Sequence, residues 1–258
     1  MSGTRSHSPP APATEAAPEA LLIAAHGDCG GAGGNILAGE LARRVRLTRR
    51  FDEVAVGYMR GEPSIEDVAA HMSCPRIRIY PLLMSDGYYV REAIPRRLGL
   101  AGGRDPLGHQ ITIDQPLGLD PKLPGQLLSA AAGAAHSAGV APAAAHLLLV
   151  AHGSANSSHS ADVARLVAAA MSREMVFATV EAAFLEEAPL FRQALASSPR
   201  PVFVLGLFAG CGMHADDDIH RIAGEPKDPR VHIVEQLGGY AGVIELVVEA
   251  LSRPIGKG

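Results

Sequence analysis

The sequence repeats itself, with its second half offset from the first by about 126 residues. Residues 21–25 and 147–151 are short apolar runs, and each is followed at once by a His-Gly pair, so that 152 − 26 = 126. Pro63 and Pro189 open a second pair of matching segments at the same offset, 189 − 63 = 126. A third pair follows at 214 − 89 = 125, and a fourth apolar segment also recurs. An offset that holds over four segments indicates an internal duplication.

Each half alternates short β-branched or leucine-rich runs with longer helical segments. Strands of about five residues separated by helices predict right-handed βαβ crossovers and a parallel sheet. We therefore predict an α/β fold of two duplicated Rossmann-like lobes, each with a four-stranded parallel sheet flanked by helices. The helical segments are predicted at residues 34–47, 64–72, 90–99, 123–138, 159–172, 189–197, 215–223 and 239–252.

The lobe boundaries follow from the duplication and from composition. Residues 1–18 lack the apolar segment of a signal peptide and are rich in Pro, Ala and Ser, which predicts a disordered tail. The N-terminal lobe is expected over residues 19–140 and the C-terminal lobe over residues 141–258. The join lies in the alanine-rich stretch 130–145.

Charge and cysteine content exclude several classes of protein. A net charge of −4 gives no global electrostatic basis for binding nucleic acid or a membrane surface. No apolar run approaches the roughly 18–20 residues of a membrane span. Cys29, Cys74 and Cys211 are odd in number and widely spaced, so they indicate neither disulfides nor a zinc site. We expect a cytoplasmic protein.

The polar residues after the first three strands differ between the two lobes. In the C-terminal lobe they are His152, Glu186 and His214. Parallel strands bring their carboxyl ends to one edge of a sheet, where open α/β folds bind their ligands. Two imidazoles and a carboxylate at such an edge predict a site for a divalent first-row metal.

The matching positions of the N-terminal lobe carry His26, Arg60 and Tyr89. Arginine does not bind a cation, so this lobe offers no second metal site of the same kind. The duplication therefore predicts one metal-binding lobe and one lobe whose metal site has been lost.

Three motifs give the chain a family resemblance. AHGS after the first strand of the C-terminal lobe, then FLEEAP, then GMH followed by DDDI, resemble the class II tetrapyrrole chelatases. The similarity is to the CbiX/SirB branch, the sirohydrochlorin cobalto- and ferrochelatases, in its long two-lobe form. The resemblance implies a chelatase-like fold and a lyase that serves cobalamin or siroheme biosynthesis. It assigns metal binding to His152, Glu186 and His214.

The chain departs from the family pattern after the second histidine. The family more often has Asp-Ile-Pro there, whereas this chain has Asp218, Ile219 and His220, and the Ile-Pro pair falls at 94–95 in the other lobe. Many long-form members use the N-terminal lobe for catalysis. Because that lobe lacks two of the three ligands here, we place the site in the C-terminal lobe.

Metal insertion sets requirements for the residues around such a site. The ion is a substrate and no permanent cofactor is expected, so three ligands with an open face suit the task. His214 is the better candidate for the base that accepts pyrrole protons. Sirohydrochlorin carries several carboxylates, which arginine binds well. The residues predicted to bind the tetrapyrrole are Arg60, Tyr89, Arg91, Ser154, Arg192 and His26.

Two other functions fit parts of the sequence. A non-catalytic metal or tetrapyrrole carrier derived from a chelatase would explain the degenerate lobe. A hydrolase using Ser154 would need a GxSxG turn, which the sequence lacks. Cobalt and ferrous iron accept the same ligands, so the sequence does not choose between them. Either a monomer or a homodimer is compatible with it.

Overall fold

Two parallel β-sheets form the framework of the chain. The computed structural model describes residues 17–27, 35–153, 159–198, 201–210, 219, 228–234, 237 and 241–253. Each sheet has four strands, in the orders β2-β1-β3-β4 and β6-β5-β7-β8. All pairings between these strands are parallel, and the first strand of each half lies inside its sheet. The predicted α/β fold of two four-stranded parallel lobes is confirmed.

The strands and helices alternate along the chain as the duplication predicts. The strands are β1 (Glu19–Ala25), β2 (Glu53–Tyr58), β3 (Arg76–Leu82), β4 (Gln110–Ile113), β5 (His146–Ala151), β6 (Thr179–Phe184), β7 (Val202–Gly206) and β8 (Val231–Val234). The helices are α1 (Ile36–Thr48), α2 (Ile65–His71), α3 (Ile94–Arg97), α4 (Leu123–Ser137), α5 (His159–Arg173), α6 (Phe191–Ser197) and α7 (Ala241–Ser252). Short 3-10 turns cover Leu117–Leu119 and Pro142–Ala144.

The predicted helices match the observed ones to within about two residues, with two exceptions. The segment predicted as one helix at 90–99 is a π-helical turn, Tyr89–Ala93, that continues into α3. Of the helix predicted at 215–223, only residue 219 lies within the described part of the chain. The predicted tail also lies outside it, apart from residues 17 and 18.

The central strands are buried on both faces, which is why their sequences are uniformly apolar. On β1, Leu21 and Ile23 belong to a core shared with the second half of the chain, whereas Leu22 packs into a separate outer core. On β5, Leu149 faces the shared core and Leu148 faces a third cluster. The sheets therefore enclose a common apolar layer.

Helices from both halves fill this common layer. Apolar side chains of α1, α4, α5 and α7 all belong to the shared core. Helix α4 follows β4 in the chain, yet it contacts β7 and β8 of the second sheet. Helix α7, the last of the chain, packs on α1. The lobe boundary at residue 140 stays a prediction, but each half contributes a helix to the other's side of the core.

A buried ion pair ties α7 to the first sheet. Arg78 on β3 donates from Nε to the Asp114 carboxylate, with a closest distance of 2.8 Å. Its Nη1 donates to the carbonyl oxygens of Leu251 and Arg253, at 3.2 and 3.0 Å. Burial raises the pKa of Asp114, and the charge of Arg78 opposes that shift. The guanidinium thus neutralises a buried carboxylate and binds carbonyls at the C-terminus of α7.

Among the cysteines, only Cys74 lies in the described part of the chain. It is a buried free thiol, and burial together with the neighbouring Glu53 carboxylate raises its pKa to about 11. Such a thiol stays protonated near neutral pH, as expected for a packing residue. Among the described residues, no helix is long and apolar enough to cross a bilayer.

We expect Arg78→Met to destabilise the protein by about 3–5 kcal/mol, because it leaves a buried carboxylate unpaired and helix carbonyls without a donor. Urea unfolding followed by circular dichroism measures the change. Arg44→Met is the matched control, since it breaks the exposed Arg44–Glu245 pair between α1 and α7. Equal effects from both variants would contradict the assigned role of Arg78.

Candidate active site

The first strands of both sheets end in the same backbone arrangement. After β1, the Arg60 amide donates to the His26 carbonyl at 2.8 Å. After β5, the Glu186 amide donates to the His152 carbonyl at 2.9 Å. The parallel ladder is thus extended by one residue pair beyond each strand end. In each lobe it places the histidine beside the polar residue that follows the second strand.

A glycine follows each of these histidines because the backbone there is left-handed and crowded. Gly27 has φ = 89° and Gly153 has φ = 70°. A Cβ atom at Gly27 would lie 1.6 Å from the Arg60 carbonyl oxygen. At Gly153 it would lie 2.7 Å from Cγ of Glu187. Only glycine combines this φ angle with these close approaches.

His152 lies between the ends of β6 and β7. Its side chain is exposed, and its ring contacts the Phe208 ring edge-on with centroids 5.0 Å apart. Phe208 itself is buried and follows β7. Glu186 is exposed. The structure thus brings His152 and Glu186 to one edge, which we call the second carboxyl edge.

His214 and Ser154 lie outside the described residues. Within the described ranges, no group of three His, Cys, Asp or Glu side chains is arranged to hold a metal ion. The predicted ligand set includes His214, so this observation does not test it. The sequence places His214 six positions after Phe208, on the segment that leaves β7. The metal-binding roles stay predictions.

The matching edge of the first sheet carries a different set of contacts. We call it the first carboxyl edge, formed by His26, Arg60 and Tyr89. The His26 Nε2 atom lies 3.2 Å from the Tyr89 hydroxyl, within hydrogen-bond distance. The two rings meet edge-on, with centroids 5.0 Å apart. The π-helical turn begins at Tyr89, and such turns often occur at functional sites.

The predicted carboxylate-binding arginines differ in how far they are already paired. Arg91 donates to Asp86 at 2.9 and 3.0 Å, and this contact raises the pKa of Arg91. The nearby Arg96, which is outside the predicted set, donates to the Tyr88 hydroxyl at 2.6 Å. Arg60 and Arg192 are exposed, and within the described part of the chain neither is paired with a carboxylate. Arg60 and Arg192 are therefore the better placed to accept a substrate carboxylate.

A hydrogen bond joins the regions of the two carboxyl edges. Asn35, which precedes α1, donates from Nδ2 to the Ala209 carbonyl at 2.9 Å. Helix α1 begins at the carboxyl end of the first sheet, and Ala209 follows the carboxyl end of β7. The two edges therefore lie on the same side of the molecule.

Sequence reasoning missed three residues at this site. Nothing in the sequence separates the role of Phe208 from core packing. Asn35 falls inside the helix predicted at 34–47, whereas the structure has it as the N-cap of α1, and a cap gives no hint of a second contact. Glu187 directly follows Glu186, and nothing in the sequence marks it out. Within the described residues, its Oε1 atom is buried and has no hydrogen-bond partner.

Three glycine variants should destabilise the protein in a defined order. Gly139→Ala introduces a left-handed alanine into open space, Gly153→Ala adds the contact with Glu187, and Gly27→Ala adds a backbone clash. We expect about 1–2 kcal/mol at Gly139, and more at Gly153 and most at Gly27 because overpacking adds to the backbone strain. Urea unfolding measures each loss. Adding Glu187→Ala should reduce the loss of stability caused by Gly153→Ala and leave the loss caused by Gly27→Ala unchanged. A smaller loss at Gly27 with no change at Gly153 would contradict this packing.

Known proteins share the fold and parts of the sequence. Over 82 residues the chain is 33% identical to a probable sirohydrochlorin cobaltochelatase of Halobacterium salinarum, a match covering 32% of this chain and 28% of that relative's length. It is 28% identical to the solved structure of CbiX described as the terminal enzyme for siroheme biosynthesis in denitrifying bacteria. That match has a TM-score of 0.71 and covers 90% of this chain and 97% of the other.

The fold also resembles that of SirB from Bacillus subtilis with Fe³⁺, with a TM-score of 0.74 at 17% identity. That match covers 91% of this chain and 94% of SirB. A sequence model of the CbiX family matches residues 20–133 and 146–253, one match in each half of the duplication. These matches cover most of the chain, and the chain belongs to the CbiX family.

Proposed function

We propose that this chain is a sirohydrochlorin chelatase, a lyase that inserts Co²⁺ or Fe²⁺ into the tetrapyrrole. The product would serve cobalamin or siroheme biosynthesis. Membership of the CbiX family supports the reaction class. The observation that carries the assignment of the site is the 2.9 Å backbone hydrogen bond from Glu186 to His152. It brings the backbones of His152 and Glu186 together at a sheet edge.

His152, Glu186 and His214 would bind the incoming metal. A neutral imidazole and a carboxylate are suitable ligands for both Co²⁺ and Fe²⁺. Because His152 and Glu186 are both exposed, an ion at this edge keeps an open face towards solvent. That face lets the ring nitrogens of the tetrapyrrole replace water as ligands. The ion is a substrate, so no permanent cofactor is proposed.

Insertion also releases two pyrrole protons, which need an acceptor near neutral pH. An imidazole is the side chain best suited to this task. We assign the role of general base to His214 and that of a second ligand to His152. Glu186 would partly neutralise the ion and pass a proton to solvent. The exposure of Glu186 favours such exchange.

The first carboxyl edge would bind the tetrapyrrole. Arg60 occupies the place that corresponds to Glu186, and its guanidinium, which pairs with no carboxylate among the described residues, suits a substrate carboxylate. Tyr89 and His26 offer an aromatic surface beside it. Arg91 would have to exchange Asp86 for a substrate carboxylate, and Arg192 would act from the other lobe. Ser154, two positions after His152 in the sequence, completes the proposed substrate-binding residues.

The cellular location, oligomeric state and partners of the chain are also part of this proposal. The chain would act in the cytoplasm as a monomer or homodimer, without nucleic acid or membrane partners. A non-catalytic carrier is the alternative. Carrier function needs only binding, whereas an imidazole and a carboxylate at the same sheet edge also suit proton transfer, which favours an enzyme.

Removing any proposed ligand should abolish metal insertion. For His152→Ala, His214→Ala and Glu186→Gln we expect the insertion rate to fall at least about 100-fold, because even residues one step removed from a metal cost 10–100-fold. Anaerobic absorbance of sirohydrochlorin with Co²⁺, and separately with Fe²⁺, measures the rate against the reaction without protein.

The matched control for the ligand variants is His136→Ala. It removes an exposed histidine whose ring contacts the Ala132 carbonyl on α4, and it should leave the rate unchanged. Tetrapyrrole binding without conversion by the wild type would support the carrier instead. If the wild-type protein neither binds nor converts sirohydrochlorin, the tetrapyrrole assignment is overturned.

Arg60→Ala should weaken tetrapyrrole binding and leave the chemical step intact. Losing one charge-assisted hydrogen bond predicts a KM for sirohydrochlorin raised about tenfold, with kcat nearly unchanged. Steady-state kinetics at low and high salt test this, since screening should reduce the difference. Arg43→Ala is the control, because Arg43 is also exposed but pairs with Glu40 on α1. A fall in kcat at constant KM would contradict the binding role.

A further inference from the structure

Asn35 is one of the few buried polar residues in the described chain, with only 2% of its surface exposed. Its Oδ1 accepts a hydrogen bond from the Ala38 amide at 3.0 Å, which caps the N-terminus of α1. Its Nδ2 donates to the Ala209 carbonyl at 2.9 Å. The acceptor end of the amide thus serves its own lobe, and the donor end serves the other lobe.

Ala209 lies where the second sheet delivers its functional residues. It directly follows Phe208, whose buried ring contacts His152. His214 is five positions further along the chain. Along the chain, Ala209 therefore stands between Phe208, whose ring contacts His152, and His214.

We infer that Asn35 is a positioning residue for the metal-binding histidines, acting from the opposite lobe through the Ala209 carbonyl. This inference rests on the proposed function of the site. Asn35 does not touch the metal or the tetrapyrrole. It fixes the backbone that carries Phe208, whose ring contacts His152, and that leads in sequence to His214.

The chemistry of the amide explains why asparagine suits this position. An aspartate would cap α1 equally well, but it has no N–H to donate to Ala209. A serine would also cap the helix, but its side chain is one bond shorter than that of asparagine, so its hydroxyl would lie farther from the Ala209 carbonyl. Ala209 is buried, so its carbonyl would lose a donor that water cannot easily replace. The backbone after β7 would then shift.

Two other contacts between the halves do not reach the backbone after β7. Arg44 with Glu245 and Lys122 with Glu249 are ion pairs on exposed helix surfaces. They join helices of the common layer and not the strand ends. Loss of such a pair loosens the packing between helices without moving Ala209. These pairs provide controls that separate positioning from general stability.

The first test compares Asn35→Asp with the wild type and with Arg44→Met. Co²⁺ affinity of the protein alone, measured by titration calorimetry and by the d–d absorption of bound Co²⁺, should fall 10–100-fold in Asn35→Asp. The kcat for insertion should fall in parallel, with the KM for sirohydrochlorin within about twofold of the wild type. Arg44→Met should match the wild type in all three quantities.

Asn35→Ser guards against an effect of the new charge or of misfolding. It keeps a capping oxygen, adds no charge, and should give the same losses as Asn35→Asp. Thermal unfolding confirms that each variant is folded at the assay temperature. Co²⁺ affinity and kcat within twofold of the wild type in both folded variants would overturn the inference.

A double-mutant cycle identifies the route of the effect. If Asn35 acts through the histidines, Asn35→Asp should have little further effect on Co²⁺ affinity in a His214→Ala background. A loss of full size in that background would overturn the inference. Wild-type protein that binds Co²⁺ but inserts no metal would contradict only the proposed function, because the affinity comparison would still test Asn35.

Discussion

The apolar layer between the two sheets is the constraint on which the rest of the structure depends. Each sheet buries one face of its central strand against this layer, and α1, α4, α5 and α7 supply its side chains. Helices α4 and α7 contact elements of the other half, so each half relies on the other to bury its apolar surface. Burial of the apolar surface in this layer fixes how the two sheets lie relative to each other. The relative position of the two carboxyl edges follows from the position of the sheets.

Polar contacts at the margins of this layer add precision that apolar packing lacks. Arg78 binds the Asp114 carboxylate and the end of α7 from the first sheet. Asn35 performs the corresponding task at the carboxyl end, through Ala209. Apolar contacts tolerate small sliding movements, whereas a buried hydrogen bond specifies a distance and an angle. The proposed site, with ligands from three strand ends, would depend on buried hydrogen bonds of this kind.

The duplication made much of the fold predictable. A constant offset located the strands in both halves, and alternation with helices was enough to predict parallel sheets. The left-handed glycines after His26 and His152 follow from the same His-Gly pairs. The exchange of α4 and α7 was not predictable, because an apolar helix face does not identify the sheet that it will cover. The second contact of Asn35 depends on that exchange, and was hidden for the same reason.

Comparison of the two edges suggests why one lobe would keep the metal ligands and the other lose them. The strand-end backbone is the same in both, with matching hydrogen bonds to His26 and His152. Only the side chains differ, so the second copy could change function without changing the fold. A tetrapyrrole with several carboxylates needs a positive surface, and a metal site facing another metal site would not provide one. Under the proposed function, Arg60 in place of a metal ligand would make one copy a binding surface for the substrate of the other.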